Sequence, residues 1–117
     1  MAFKFESLQV WQLSVEHTVA ISKMVKTFPS FELYSLCSQI RRAADSVVLN
    51  IAEGCTGQSN AEFSRFLSYS MRSGIEVVSC LFIARKKNNI DEKTFSNHYH
   101  SYEILCKKIN KLKISLN

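Results

Sequence analysis

The chain has 117 residues, a formal net charge of +5, and is 46% hydrophobic and 21% charged, which excludes wholesale disorder and suits one domain. Three glycines and one proline are too few for the turns of a β-rich domain of this length. No leader-like stretch opens the sequence and no uninterrupted apolar run nears the ~18 residues of a membrane span, so a cytoplasmic protein without a membrane partner is expected.

Residues 7–27 are predicted as the first helix. Leu8, Trp11, Val15, Val19 and Val25 form one apolar stripe, and Val10, Leu13, Ile21 and Met24 form another. A helix apolar on two sides packs its own core with one side and asks for a second partner, such as another subunit, with the other. Phe28-Pro29-Ser30 interrupts the pattern, and Ser30 can cap the next helix.

The second helix is predicted over residues 31–53, with Leu33, Leu36, Cys37, Ile40, Ala44, Val47, Val48 and Ile51 as its apolar stripe. Gly54 is expected as its C-terminal cap, and Cys55 in the loop beyond. Ser59 followed by Glu62 matches a capping box, which opens a third helix over residues 60–87. Gly74 lies inside that helix, where close approach of a neighbouring helix is expected to compensate it. Asn88-Asn89 ends the third helix, and Asp91 can cap a fourth over residues 92–115. The short connections predict an all-α, antiparallel up-down-up-down four-helix bundle in one domain, residues 1–117.

Gln39, Arg42, Ser46, Asn50 and Glu53 recur at helical spacing beside the apolar stripe of the second helix. The third helix carries Glu62, Arg65, Tyr69, Ser73 and Glu76 in a similar line. Folding the two helices antiparallel predicts a structural polar seam, with an Arg42–Glu76 pair and with Glu53 or Asn50 near Arg65.

Charge is uneven. Residues 1–58 hold five basic and five acidic side chains, whereas residues 59–117 hold ten and five. The clusters are Arg85-Lys86-Lys87 and Lys107, Lys108, Lys111 and Lys113, the candidates for nucleic-acid phosphate contacts. Both also lie in the last turns of helices, where cations meet the negative end of the dipole. The up-down arrangement sets them at opposite ends, so one subunit has no single basic face, whereas a ring of subunits repeats each cluster around its own rim.

Catalytic, metal and cofactor sites are not indicated. His17, His98 and His100 lack the Glu-x-x-His spacing of carboxylate-bridged metal bundles and read as surface histidines. The segment GCTGQS lacks the ending of a phosphate-binding loop. Cys37, Cys55, Cys80 and Cys106 form no CxxC pair and read as reduced thiols.

The string QIRRAADSVVLNIAEG (Gln39 to Gly54) resembles one family closely, together with Val10-Trp11-Gln12, FPSFELYSL (Phe28 to Leu36) and EFSRFL (Glu62 to Leu67). These are the four-helix bundle proteins encoded in intervening sequences of bacterial large-subunit ribosomal RNA genes, sometimes labelled ribosomal-protein-like. The resemblance implies an antiparallel bundle that assembles as a ring, commonly a homopentamer. It also implies a fold similar to the accessory protein of diversity-generating retroelements, which works with nucleic acid and a reverse transcriptase. The residues it carries over are Gln39, Arg42, Ser46, Asn50, Glu53, Gly54, Ser73 and Glu76. Two positions depart from the family pattern: Arg72-Ser73 stands where Gly-Ser is usual, and Gln58 where a basic residue is common. Two functions therefore stand side by side: a non-enzymatic ring that binds RNA or DNA, and an interaction scaffold that binds neither.

Overall fold

Strong apolar periodicity and side-chain caps produce four helices in the computed structural model, which describes residues 2–57 and 59–117; Gln58 lies outside them. The helices are α1 (Gln9–Val25), α2 (Leu36–Cys55), α3 (Asn60–Lys86) and α4 (Glu92–Ser115), and no strand occurs among the described residues. Each helix packs on the next and α4 returns to α1, while the diagonal pairs do not meet. Two approaches along each seam, in opposite chain order, fix the antiparallel sense. Thr18 donates to Asp45 and Cys37 to the Val25 carbonyl across α1 and α2; Ser70 donates to the Val47 carbonyl and Gln39 to Glu76 across α2 and α3; Phe82 meets Phe95 and Gly74 lies beside Cys106 across α3 and α4. The result is a four-helix bundle measuring 43 × 23 × 21 Å.

The core holds Ile21 from α1, Ile40, Val47 and Ile51 from α2, Leu67, Val77 and Leu81 from α3, and Tyr102, Leu105 and Ile109 from α4. On α1, Val10, Ile21 and Met24 of one stripe are buried and Leu13 is half-buried. The other stripe buries Val25 but leaves Leu8, Trp11 and Val15 half-buried and Val19 48% exposed. By length and composition α3 is long and apolar enough to cross a membrane, although charged residues interrupt its apolar run. In the bundle its core face packs on α2 and α4, and Arg72 and Glu76 are exposed at mid-helix.

Caps explain the best-placed boundaries. Ser59 Oγ accepts from the Glu62 amide at 3.1 Å, and an Asp91 carboxylate oxygen accepts from the Thr94 amide at 2.8 Å. These bonds satisfy amides that the first turn leaves without partners. Asn88 adopts a left-handed conformation (φ 62°) and reverses the chain between α3 and α4.

Three expectations are corrected. Residues 31–35 are not α-helical: Ser30–Glu32 form a single 3-10 turn, and α2 begins at Leu36. The stripe position Leu33 is consequently 43% exposed. Gly54 is not a cap but lies within α2, without positive φ. A Cβ there would sit 2.5 Å from Phe66 Cβ, so its role is close approach to α3. Cys55 is the last residue of α2 and is buried, not in a loop. Gly74 behaves as expected, since a Cβ there would lie 2.8 Å from Cys106 Sγ on α4.

Candidate nucleic-acid interface

The end of the bundle where α3 turns into α4 also receives the end of α1 and the start of α2. It gathers Lys23 and Lys26, the Arg85–Lys87 triplet and Lys93. Against these six cations stand Glu32, Asp91 and Glu92 among the described residues; Arg41 lies deeper, past the level at which Gln39 meets Glu76.

The triplet divides by role. Arg85 lies 3.9 Å from the Phe95 ring centroid and 5.1 Å from that of Phe82, and pairs with Glu92 at 3.1 Å. It locks α3 to α4 through cation–π and ionic contact. Lys87 Nζ donates to Glu32 Oε2 at 3.1 Å and so ties the loop after α3 to the turn before α2. Lys86 is exposed, and no carboxylate lies within ion-pair distance of it among the described residues. Lys23 and Lys26 are likewise exposed and without an ion-pair partner among the described residues.

At the opposite end the second cluster is dispersed. Lys107 lies 3.8 Å from Glu103. Lys108 and Lys111 edge an apolar groove of about 440 Å³ with Leu8, Val10 and Leu112, between α1 and α4. Lys113 is half-buried.

The polar seam forms between α2 and α3. Arg42, Ser46, Asn50, Glu53, Ser73 and Glu76 line one groove of about 680 Å³. Ser73 Oγ donates to Ser46 Oγ at 2.9 Å, and Asn50 Nδ2 donates to the Ser46 carbonyl at 2.9 Å. The expected Arg42–Glu76 ion pair is absent among the described residues; Gln39 Nε2 donates to Glu76 at 3.5 Å instead. Three helical residues advance about 300°, which turns Arg42 some 60° further from α3 than Gln39. Arg42 lines the groove but is exposed to water. Arg65 is also exposed, 5.7 Å from the Phe66 ring, and makes no ion pair with Glu53.

Titratable groups add little chemistry. Burial raises the pKa of Cys37, Cys55, Cys80 and Cys106, keeping them as thiols. His17 and His98 are half-buried at the α1–α4 seam rather than on the surface, and burial lowers both pKa values. His100 is exposed and lies 3.3 Å from Glu103. No group of three or more His, Cys, Asp or Glu side chains with metal-holding geometry occurs among the described residues.

Sequence reasoning missed the turn before α2. Phe31 is 78% and Tyr34 92% exposed, beside Leu33. The available signal was angular: the apolar stripe of α2 skips both aromatics, which fall well off its core direction.

The sequence pattern of the 23S rRNA-intervening sequence protein family matches residues 6–111. A solved structure, described as a protein with unknown function from the S23 ribosomal protein family of Bacteroides thetaiotaomicron, superposes with a TM-score of 0.80. It is 20% identical, and the match covers 89% of this chain and 97% of that one. At that identity the likeness bears on fold alone. No curated protein matches the sequence.

Proposed function

The chain belongs to the 23S rRNA-intervening sequence protein family, and from that premise we propose that it is a non-enzymatic, oligomeric four-helix bundle, a basic ring that binds RNA or DNA. The observation that carries the reading is the six-to-three excess of cations at the α3–α4 end among the described residues, with Lys23, Lys26 and Lys86 free of ion pairs there. Phosphate binding draws on counterion release and grows with the number of cations presented together. A ring repeats that end around one rim. A homopentamer is the assembly that the family resemblance implies. The open stripe of α1, with Val19 48% exposed, is a face that a neighbouring subunit can cover. The lysines at 107, 108, 111 and 113 supply the opposite rim. The setting is the cytoplasm.

A scaffold that binds no nucleic acid is the second reading. It is favoured by apolar side chains left open along the outer faces, such as Leu49 at 63%, Ile75 at 64% and Ile114 at 61%.

Titration of the purified protein against structured ribosomal RNA separates the two. Binding weakens more than about tenfold between roughly 50 and 200 mM salt if phosphates are engaged. No binding, or binding indifferent to salt, overturns the nucleic-acid reading. Light scattering after gel filtration tests the ring, and a monomer at micromolar concentration removes it.

A further inference from the structure

The turn between α1 and α2 is held from beneath and bare on top. Phe28, which ends α1's turn, is buried in the core. Four residues on, the Glu32 side chain is 3% exposed. Its carboxylate accepts from Ser35 Oγ at 2.8 Å, Asn89 Nδ2 at 3.0 Å and Lys87 Nζ at 3.1 Å. The last two donors lie in the loop after α3, so the turn is fastened to the opposite side of the bundle. Around this anchor Phe31, Leu33 and Tyr34 are 78%, 43% and 92% exposed.

Phe31, Leu33 and Tyr34 thus lie within four residues on a turn fastened from beneath, and exposed apolar side chains grouped in this way mark a contact site. Its surroundings specify the partner. The turn belongs to the end with six cations and three acidic groups among the described residues, and one of those three, Glu32, is the buried anchor. A second copy presenting the same end would meet like charge. A polyanion with flat apolar surfaces satisfies both features.

We propose that this turn is a stacking platform for unpaired nucleotides, with bases on Tyr34 and Phe31 and neighbouring phosphates on Lys86, Lys23 and Lys26. The inference rests on the nucleic-acid reading above and specifies its ligand as single-stranded RNA or DNA. Every base has a π-face, so stacking tolerates sequence, and a duplex keeps those faces inside. The platform therefore prefers loops, bulges and single strands.

The test uses the full chain and a fluorescent single-stranded oligonucleotide of roughly 12 nucleotides, with the matching duplex as control. Anisotropy is read at two salt concentrations, and light scattering is measured on every variant. The wild type binds the single strand more tightly than the duplex. Phe31→Ala/Tyr34→Ala lowers single-strand affinity by about tenfold or more, leaves the salt slope unchanged and keeps the assembly size. Phe31→Tyr and Tyr34→Phe retain binding, because they keep the ring. Lys26→Glu/Lys86→Glu reduces the salt slope.

If the double alanine variant binds normally while the lysine variant fails, the platform is refuted and the nucleic-acid reading survives. If the wild type binds neither strand nor duplex, both fall. If the double alanine variant dissociates into smaller species, the turn is a subunit contact and the proposal is overturned.

Discussion

Glu32 sits under a turn rather than upon it, and its environment sets its acidity. Hydrogen bonds from Asn89 and then Ser35 hold its pKa below the ordinary glutamate value, against burial, with Lys87 adding to the effect. A lowered native pKa contributes stability that is complete above the ordinary glutamate range and is lost as pH falls through the native value. Glu32→Gln is therefore expected to lower the melting temperature at neutral pH and to flatten the acid limb of a stability profile between about pH 7 and pH 3. The two helical glycines should respond differently to substitution. Alanine gains about 1 kcal/mol of helix propensity at either position. At Gly54 the new methyl meets the fixed Cβ of Phe66, so Gly54→Ala is expected to destabilise by about 1–2 kcal/mol net. At Gly74 it meets a thiol that can rotate, so Gly74→Ala stays within about 1 kcal/mol of neutral by denaturant unfolding. Tyr102 is 1% exposed and its hydroxyl has no hydrogen-bond partner among the described residues. Tyr102→Phe is expected to hold stability level or raise it by about 1 kcal/mol in the same assay.

Helices differ in how plainly their boundaries were written. The bounds of α3 and α4 follow from Ser59 and Asp91, whose side chains do what their spacing suggests. The start of α2 was not legible, because the bonds that hold residues 30–35 come from Lys87 and Asn89, more than fifty positions away. The polar stripe of α2 was readable as a seam, but not which member reaches α3. A 60° difference in direction decides between Gln39 and Arg42, and spacing along one helix does not carry the tilt of its neighbour. The α1–α4 seam is the loosest of the four. His17 and His98 both lie along it, with Glu16 partly offsetting burial at His17 and the His17 charge adding to the lowering at His98. Their lowered native pKa values mean that the unfolded chain takes up protons first. Stability is full above the ordinary histidine range and declines as pH falls from there towards the native values. Amide exchange in α1 and α4, corrected for intrinsic rate, is expected to quicken between about pH 7 and pH 5. His17→Gln/His98→Gln should remove most of that change.

The molecule as a whole is charged by ends rather than by halves. The chain's second half holds the +5 in sequence, but the fold brings Lys23 and Lys26 from the first half to the α3–α4 end. Sequence position could reveal the imbalance but not this regrouping, which depends on chain direction in the bundle. Arg85 and Lys87 are partly occupied in holding elements together, so reversing them should disturb folding as well as binding. Lys26→Glu/Lys86→Glu is the cleaner variant, expected to bind nucleic acid more weakly with an unchanged melting temperature. The anchored turn carries a further consequence for engineering. Because Phe28 and Glu32 hold it from below, the outward positions 31, 33 and 34 have no duty inside the fold. They form a three-residue slot in which a different recognition surface can be written without rebuilding the scaffold beneath.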